Sequence, residues 1–147
     1  MSEIKYKNLT QNLIEAVPEI KEEIDRERSS WGRSRVRNEE PKPKWWKEED
    51  GNWAEYSRTY DSIPHDAFGT ILNPYVENLL LVNGREEELE RIFSFIEILA
   101  NHEDEMIREV IKDSFCENLE GWGGEVQKRA RKYMGPKTLE LAIYNHL

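Results

Sequence analysis

An all-α fold is predicted by two observations. Apolar residues recur at three- and four-residue spacing wherever the sequence is regular, and no segment alternates in the two-residue manner of a strand. Gly and Pro punctuate the regular segments, which gives about six or seven helices, and a compact right-handed array of them is expected. With 147 residues the chain is long enough to bury one core, so a single helical domain over 1–147 is expected.

Leu9, Leu13, Ile14 and Val17 form the first stripe, and Pro18 starts a second segment carrying Ile20 and Ile24, because proline suits a first helical turn and not an interior. Between about 31 and 64 the periodicity stops. Prolines, glycine and mixed charges take over there, so the stretch reads as a long aromatic-rich loop.

The core should come next. Phe68, Ile71, Leu72, Tyr75, Val76, Leu79 and Leu80 keep one face apolar, with Pro74 kinking or restarting the helix and Asn83-Gly84 ending it. The segment "REEELERIFSFIEILAN" opens with acids, as a helix N-terminus favours, and then Leu89, Ile92, Phe93, Phe95, Ile96, Ile98 and Leu99 cover most of the circumference. That helix should be central. Met106, Ile107, Val110, Ile111, Phe115 and Leu119 make a single stripe that Gly121 is placed to end. At the C-terminus two short helices are expected around Gly135-Pro136, the glycine as C-cap and the proline as first helical residue.

The stretch "IFSFIEILANHEDEMIREVIKDSFCENL" reads as an antiparallel pair joined by a short acidic turn around Asp104, with Arg108 near the start of its second helix. That pattern is HEAT-like. Only one degenerate neighbour, Phe68 to Leu99, can be offered beside it, which favours a compact array over an extended solenoid.

From "LIEAVPEIKEEI" through "ILNPYVENLLL" to "ARKYMGPKTLEL", the chain resembles a family of small uncharacterised bacterial all-helical proteins associated with candidate immunity or antitoxin proteins of toxin systems. "RARKYMGPKT", residues 129 to 138, is the most specific part of the likeness. The resemblance implies a protein partner and supplies no catalytic residues.

No catalytic or cofactor signature appears in the sequence. His65, His102 and His146 lie far apart and outside any metal-pair spacing, so neither a metal nor a cofactor is expected. Neighbours on a helix point about 100° apart, so His65 and Asp66 do not form a base with its orienting acid, and Asp66 is expected to cap a helix. Cys116, beside Phe115 on an amphipathic helix, reads as an ordinary buried thiol, and "GWGG" lacks the spacing and lysine of a phosphate loop. A non-enzymatic protein follows. One cysteine, no charged-then-apolar leader and no apolar run of about 18 residues together suggest a cytoplasmic location with no membrane span.

Charge is distributed unevenly. The formal total is −9, and residues 85 to 120 carry twelve acids against four bases, a net −8, whereas residues 123 to 147 carry +3. An acidic total disfavours nucleic acid, and the basic turn "QKRARKY" is read as balancing its neighbours. Glu105, Glu109, Asp113 and Glu117 recur every four residues, so they line one ridge and repel one another by a few tenths of a kcal/mol each. The row is either a solvated face, with Arg108 and Lys112 compensating it, or an anionic ridge that steers a basic partner. Trp45, Trp46 and Trp53 pose the same choice: they fold the loop back over apolar helix faces, or at least one points outward as an interface anchor. The reading adopted is a protein-binding module, an immunity or antitoxin protein that occludes a basic toxin through Trp45, Trp46, Trp53, Glu105, Glu109, Asp113 and Glu117. A small ligand-binding or enzymatic domain with a pocket under the aromatic loop is the alternative.

Overall fold

A computed structural model describes residues 3–31 and 63–145. Every regular element among them is helical. They make seven helical runs, built from α1 (Leu9–Ala16), α2 (Lys21–Trp31), α3 (Ile63–Asp66), α4 (Asn73–Leu81), α5 (Glu86–Ala100), α6 (Glu105–Val110), α7 (Gly124–Arg131) and α8 (Pro136–Asn145). Trp31 therefore closes α2, and Ile63 with Pro64 opens α3, while the rest of the expected loop lies outside the described residues.

The predicted stripes are the ones that are buried. Leu9, Leu13 and Val17 are wholly inaccessible, and Ile20 and Ile24 continue the same core after the 3-10 turn that Pro18 opens. α5 packs against α1, α4, α6 and α8, so its apolar surface is used on several sides. Phe93 is its hub, stacked on Tyr133 with ring centroids 5.9 Å apart and edge-on to Phe115 at 6.3 Å. Ile98 departs from expectation: it is 54% exposed, because the neighbouring helices leave that strip of α5 uncovered.

Two stretches read as continuous α-helix are interrupted by π-helical turns, Ala67–Leu72 between α3 and α4 and Ile111–Phe115 after α6. Each widens the spiral by one residue, and the Cys116 amide accordingly donates to the Ile111 carbonyl at 2.8 Å. In the second turn the widening puts Ser114, Phe115 and Cys116 all inside, more than an α-helical stripe allows. Pro74, which has no amide to give the helix ladder, directly follows the first π-turn near the start of α4.

Two predicted caps are corrected. Asp66 makes no side-chain cap bond, since the helical run passes straight through it into the first π-turn. Gly135 does not close α7, which ends at Arg131 with Lys132 as its cap; it precedes α8 instead and accepts from the Leu139 amide at 2.9 Å. Gly84, by contrast, has φ +85 in the α4–α5 turn, a left-handed conformation that favours glycine.

Candidate partner-binding ridge and the seam beneath it

The ridge begins where Asp104 caps α6, its carboxylate accepting from the Met106 amide at 2.9 Å. Glu105, Glu109, Asp113 and Glu117 are all exposed. The α-helical four-residue register joins Glu105 and Glu109 only. Asp113 lies within the second π-turn, and Glu117 opens a 3-10 turn, Glu117–Gly121, with a different pitch.

The compensation expected from Arg108 is largely diverted. Its guanidinium donates to the His102 carbonyl at 2.6 Å, pinning the α5–α6 connection, and among the described residues no cation forms an ion pair with any of the four ridge acids. The electrostatic result is visible at Glu109. Partial burial first, then Asp113 and Glu105, push its carboxyl above the usual range, and Lys112 and Arg108 offset this only in part.

Beneath the ridge the two π-turns pack together, and side chains occupy the carbonyls that π-geometry leaves available. Asn118 donates to the Gly69 carbonyl at 3.1 Å and to the Ser114 carbonyl at 3.0 Å. Gly69 is needed for this approach, since a Cβ there would lie 3.2 Å from the Ser114 carbonyl oxygen. Buried Asn73 donates to the Phe115 carbonyl at 2.8 Å and accepts from the Trp122 indole at 3.0 Å. His65 completes the seam, its Nδ1 2.6 Å from Ser114 Oγ. The sequence carries no local signal of Ser114, 49 residues away.

Cys116 is fully buried, as expected, and burial with the field of Asp113 pushes its thiol up to about 12, which leaves it protonated and inert at neutral pH. His102 is likewise occupied: its Nδ1 accepts from the Asp104 amide at 2.9 Å, so Nε2 carries the proton and donates to the Ile4 carbonyl at 3.1 Å. His146 lies outside the described residues. Among the described residues no group of three His, Cys, Asp or Glu side chains could hold a metal ion, and no helix is long and apolar enough to cross a membrane.

The basic turn is partly structural. Arg129 reaches the C-terminus of α4, donating to the Leu80 carbonyl and, at 3.2 Å, to that of Val82. Trp45, Trp46 and Trp53 lie outside the described residues; Trp122, which the sequence reading passed over, is 4% exposed and stacks edge-on against Phe115.

The family model described as a domain of unknown function, DUF7674, matches residues 10–146. The chain belongs to the DUF7674 family. No curated protein and no solved structure matches it. The DUF7674 match spans both π-turns, the ridge and the "RARKYMGPKT" segment.

The last of these has a concrete geometry in this DUF7674 chain. Glu97 of α5 points at the start of α8, where its carboxylate accepts from the Thr138 amide at 2.8 Å, the Thr138 hydroxyl at 2.7 Å and the Lys137 amide at 3.1 Å. Asn101 donates to it as well, at 2.8 Å. Pro136 has no amide to satisfy, so one side chain from a neighbouring helix caps the first turn of α8. Gly135 leaves room for it, because a Cβ there would lie 2.4 Å from the Glu97 carboxyl carbon. Burial alone would raise the Glu97 carboxyl, but the four donors outweigh it and hold the group below the usual carboxylate range.

Proposed function

We propose that this protein is a non-enzymatic binding module, an immunity or antitoxin protein whose anionic ridge docks a basic protein partner and occludes it. The observation that carries the reading is the ridge itself. Glu105, Glu109 and Asp113 are exposed and have no ion-pair partner among the described residues, while Arg108 donates to a backbone carbonyl. Partial burial and then the two flanking acids raise the proton affinity of Glu109, a cost that an external cation would offset. The resemblance to candidate immunity proteins supplies the class of partner, a basic toxin such as a nuclease whose own site must attract phosphate. HEAT-like pairing of α5 with α6 and a cytoplasmic setting belong to the same proposal.

The test is co-purification with the product of an adjacent toxin-like reading frame, using the wild type and a Glu109→Lys/Asp113→Lys variant. Reversing two charges at a steered interface should weaken binding by at least about tenfold, mainly in the association rate and more at low salt, with helical content unchanged. A Trp46→Ala variant tests the loop contribution separately. Equal binding by the charge-reversed protein removes the reading.

A further inference from the structure

His65 is a half-buried ring lodged between the two π-turns, and none of the roles described above uses its second nitrogen. In the neutral ring Nδ1 and the Ser114 hydroxyl share one hydrogen bond whose direction depends on the tautomer. On protonation Nδ1 is the donor and Ser114 Oγ its acceptor, an arrangement that a hydroxyl accommodates by rotating. The contact therefore survives and the change is one of charge.

That charge appears next to the ridge. Asp113, which immediately precedes Ser114, acts on the ring from the second π-turn, and Asp66 acts on it from α3 itself. The other elements packed on α3 are the first π-turn, which has no titratable side chain, α1 with Glu15, and α2 with the charges from Lys21 to Arg28; neither those nor Lys112 are among the charges that shift the ring.

We propose that His65 is a proton sensor built beneath the ridge: its imidazolium, bonded to the hydroxyl of the residue that follows Asp113, offsets part of the anionic row presented to a basic partner, whose binding in turn expels the proton. The consequence for a partner rests on the ridge reading above, whereas the coupling of His65 to Asp113 does not. Burial, the largest influence, holds the ring below its ordinary value of about 6.5, and the two aspartates recover part of that loss. The proton is thus taken up only below that value.

Two arms test this. Nuclear magnetic resonance titration of the His65 ring in the wild type and in Asp113→Asn should show the midpoint falling by about half a unit when the carboxylate is removed. An unchanged midpoint overturns the coupling. In the second arm octalysine serves as the cationic probe, and its affinity is measured between about pH 7.5 and 5.5. The wild type should lose about threefold more affinity than His65→Asn, whose amide occupies the place of Nδ1 without titrating. Equal losses overturn the sensor, and if His65→Asn does not fold, the Asp113→Asn titration decides. Octalysine that fails to bind the wild type at neutral pH, or that binds Glu109→Lys/Asp113→Lys equally well, overturns the ridge reading and the partner half of this proposal, while the titration still decides the coupling half.

Discussion

Glu97 and Glu109 are the same residue on neighbouring helical runs, and they are used in opposite ways. Glu97 leaves α5 toward protein and collects four donors, so its charge is stabilised and its proton affinity lowered. Glu109 stands on α6 with no such donors, and partial burial first, then two other acids, raise its proton affinity. The difference shows that the net −8 of residues 85 to 120 is not one surface property. Part of it is internal architecture that fixes α8, and part is field projected outward at a small cost in stability.

The largest break in that comparison is expected at Glu97. Glu97→Ala orphans the first amides of α8 and a buried threonine hydroxyl, and hydrogen bonds to charged groups contribute about 1.5–3 kcal/mol each in favourable settings but are not additive, so a loss of about 3 kcal/mol is expected in urea unfolding. Glu97→Gln keeps the shape and removes the charge. Because the folded-state pKa of Glu97 is depressed, its contribution is present above the ordinary carboxylate value and lost as pH falls through the folded value. The acid limb of the stability profile should therefore be shallower in Glu97→Gln than in the wild type, and parallel limbs would show that the capping bonds add nothing.

Gly135→Ala asks the same question from the other side. A methyl group 2.4 Å from the Glu97 carboxyl carbon forces the carboxylate off its donors, and overpacking of this kind costs about 1–3 kcal/mol. Thermal unfolding of the single and double variants checks it. With Glu97→Ala already in place the glycine substitution should cost much less, since the obstructing group is gone.

These two residues also mark where sequence reading stops. The stripes through Leu9, Phe68, Phe93 and Phe115 were legible because burial of one helix face imposes a local period. Pro136 as the first residue of α8 was legible from proline chemistry alone. Gly135 was assigned to the wrong helix, because its reason for being glycine lies on α5, 38 residues earlier. The π-turns escaped for a related reason: spacing of apolar residues does not distinguish a four-residue from a five-residue backbone bond when the added positions are a serine and a cysteine. Asn73 and Trp122 form a bond across 49 residues, and neither carries a local signal of it. At the ridge Glu105, Glu109 and Asp113 are exposed, whereas the π-turn through Asp113, the diversion of Arg108 to a carbonyl and the displacement of Glu117 depend on tertiary geometry.

The smallest effect bears most directly on what the ridge is for. If Glu109 is held unfavourably between Glu105 and Asp113, neutralising it should relieve repulsion without removing any contact that the fold uses. Like-charge pairs at this spacing each cost a few tenths of a kcal/mol, so Glu109→Gln should be more stable than the wild type by about 0.3–0.5 kcal/mol at neutral pH and low salt. The sign of the pH dependence follows from the raised folded-state pKa. Folding then favours the protonated form, so the penalty is fully felt above that pKa and disappears as pH falls below the ordinary carboxylate value. Urea unfolding of both proteins at pH 7 and pH 4, with and without added salt, should show the gap closing in acid and under screening. A variant that is less stable at pH 7 would mean that Glu109 has a stabilising role within the fold, and the row would then need no external cation to account for it.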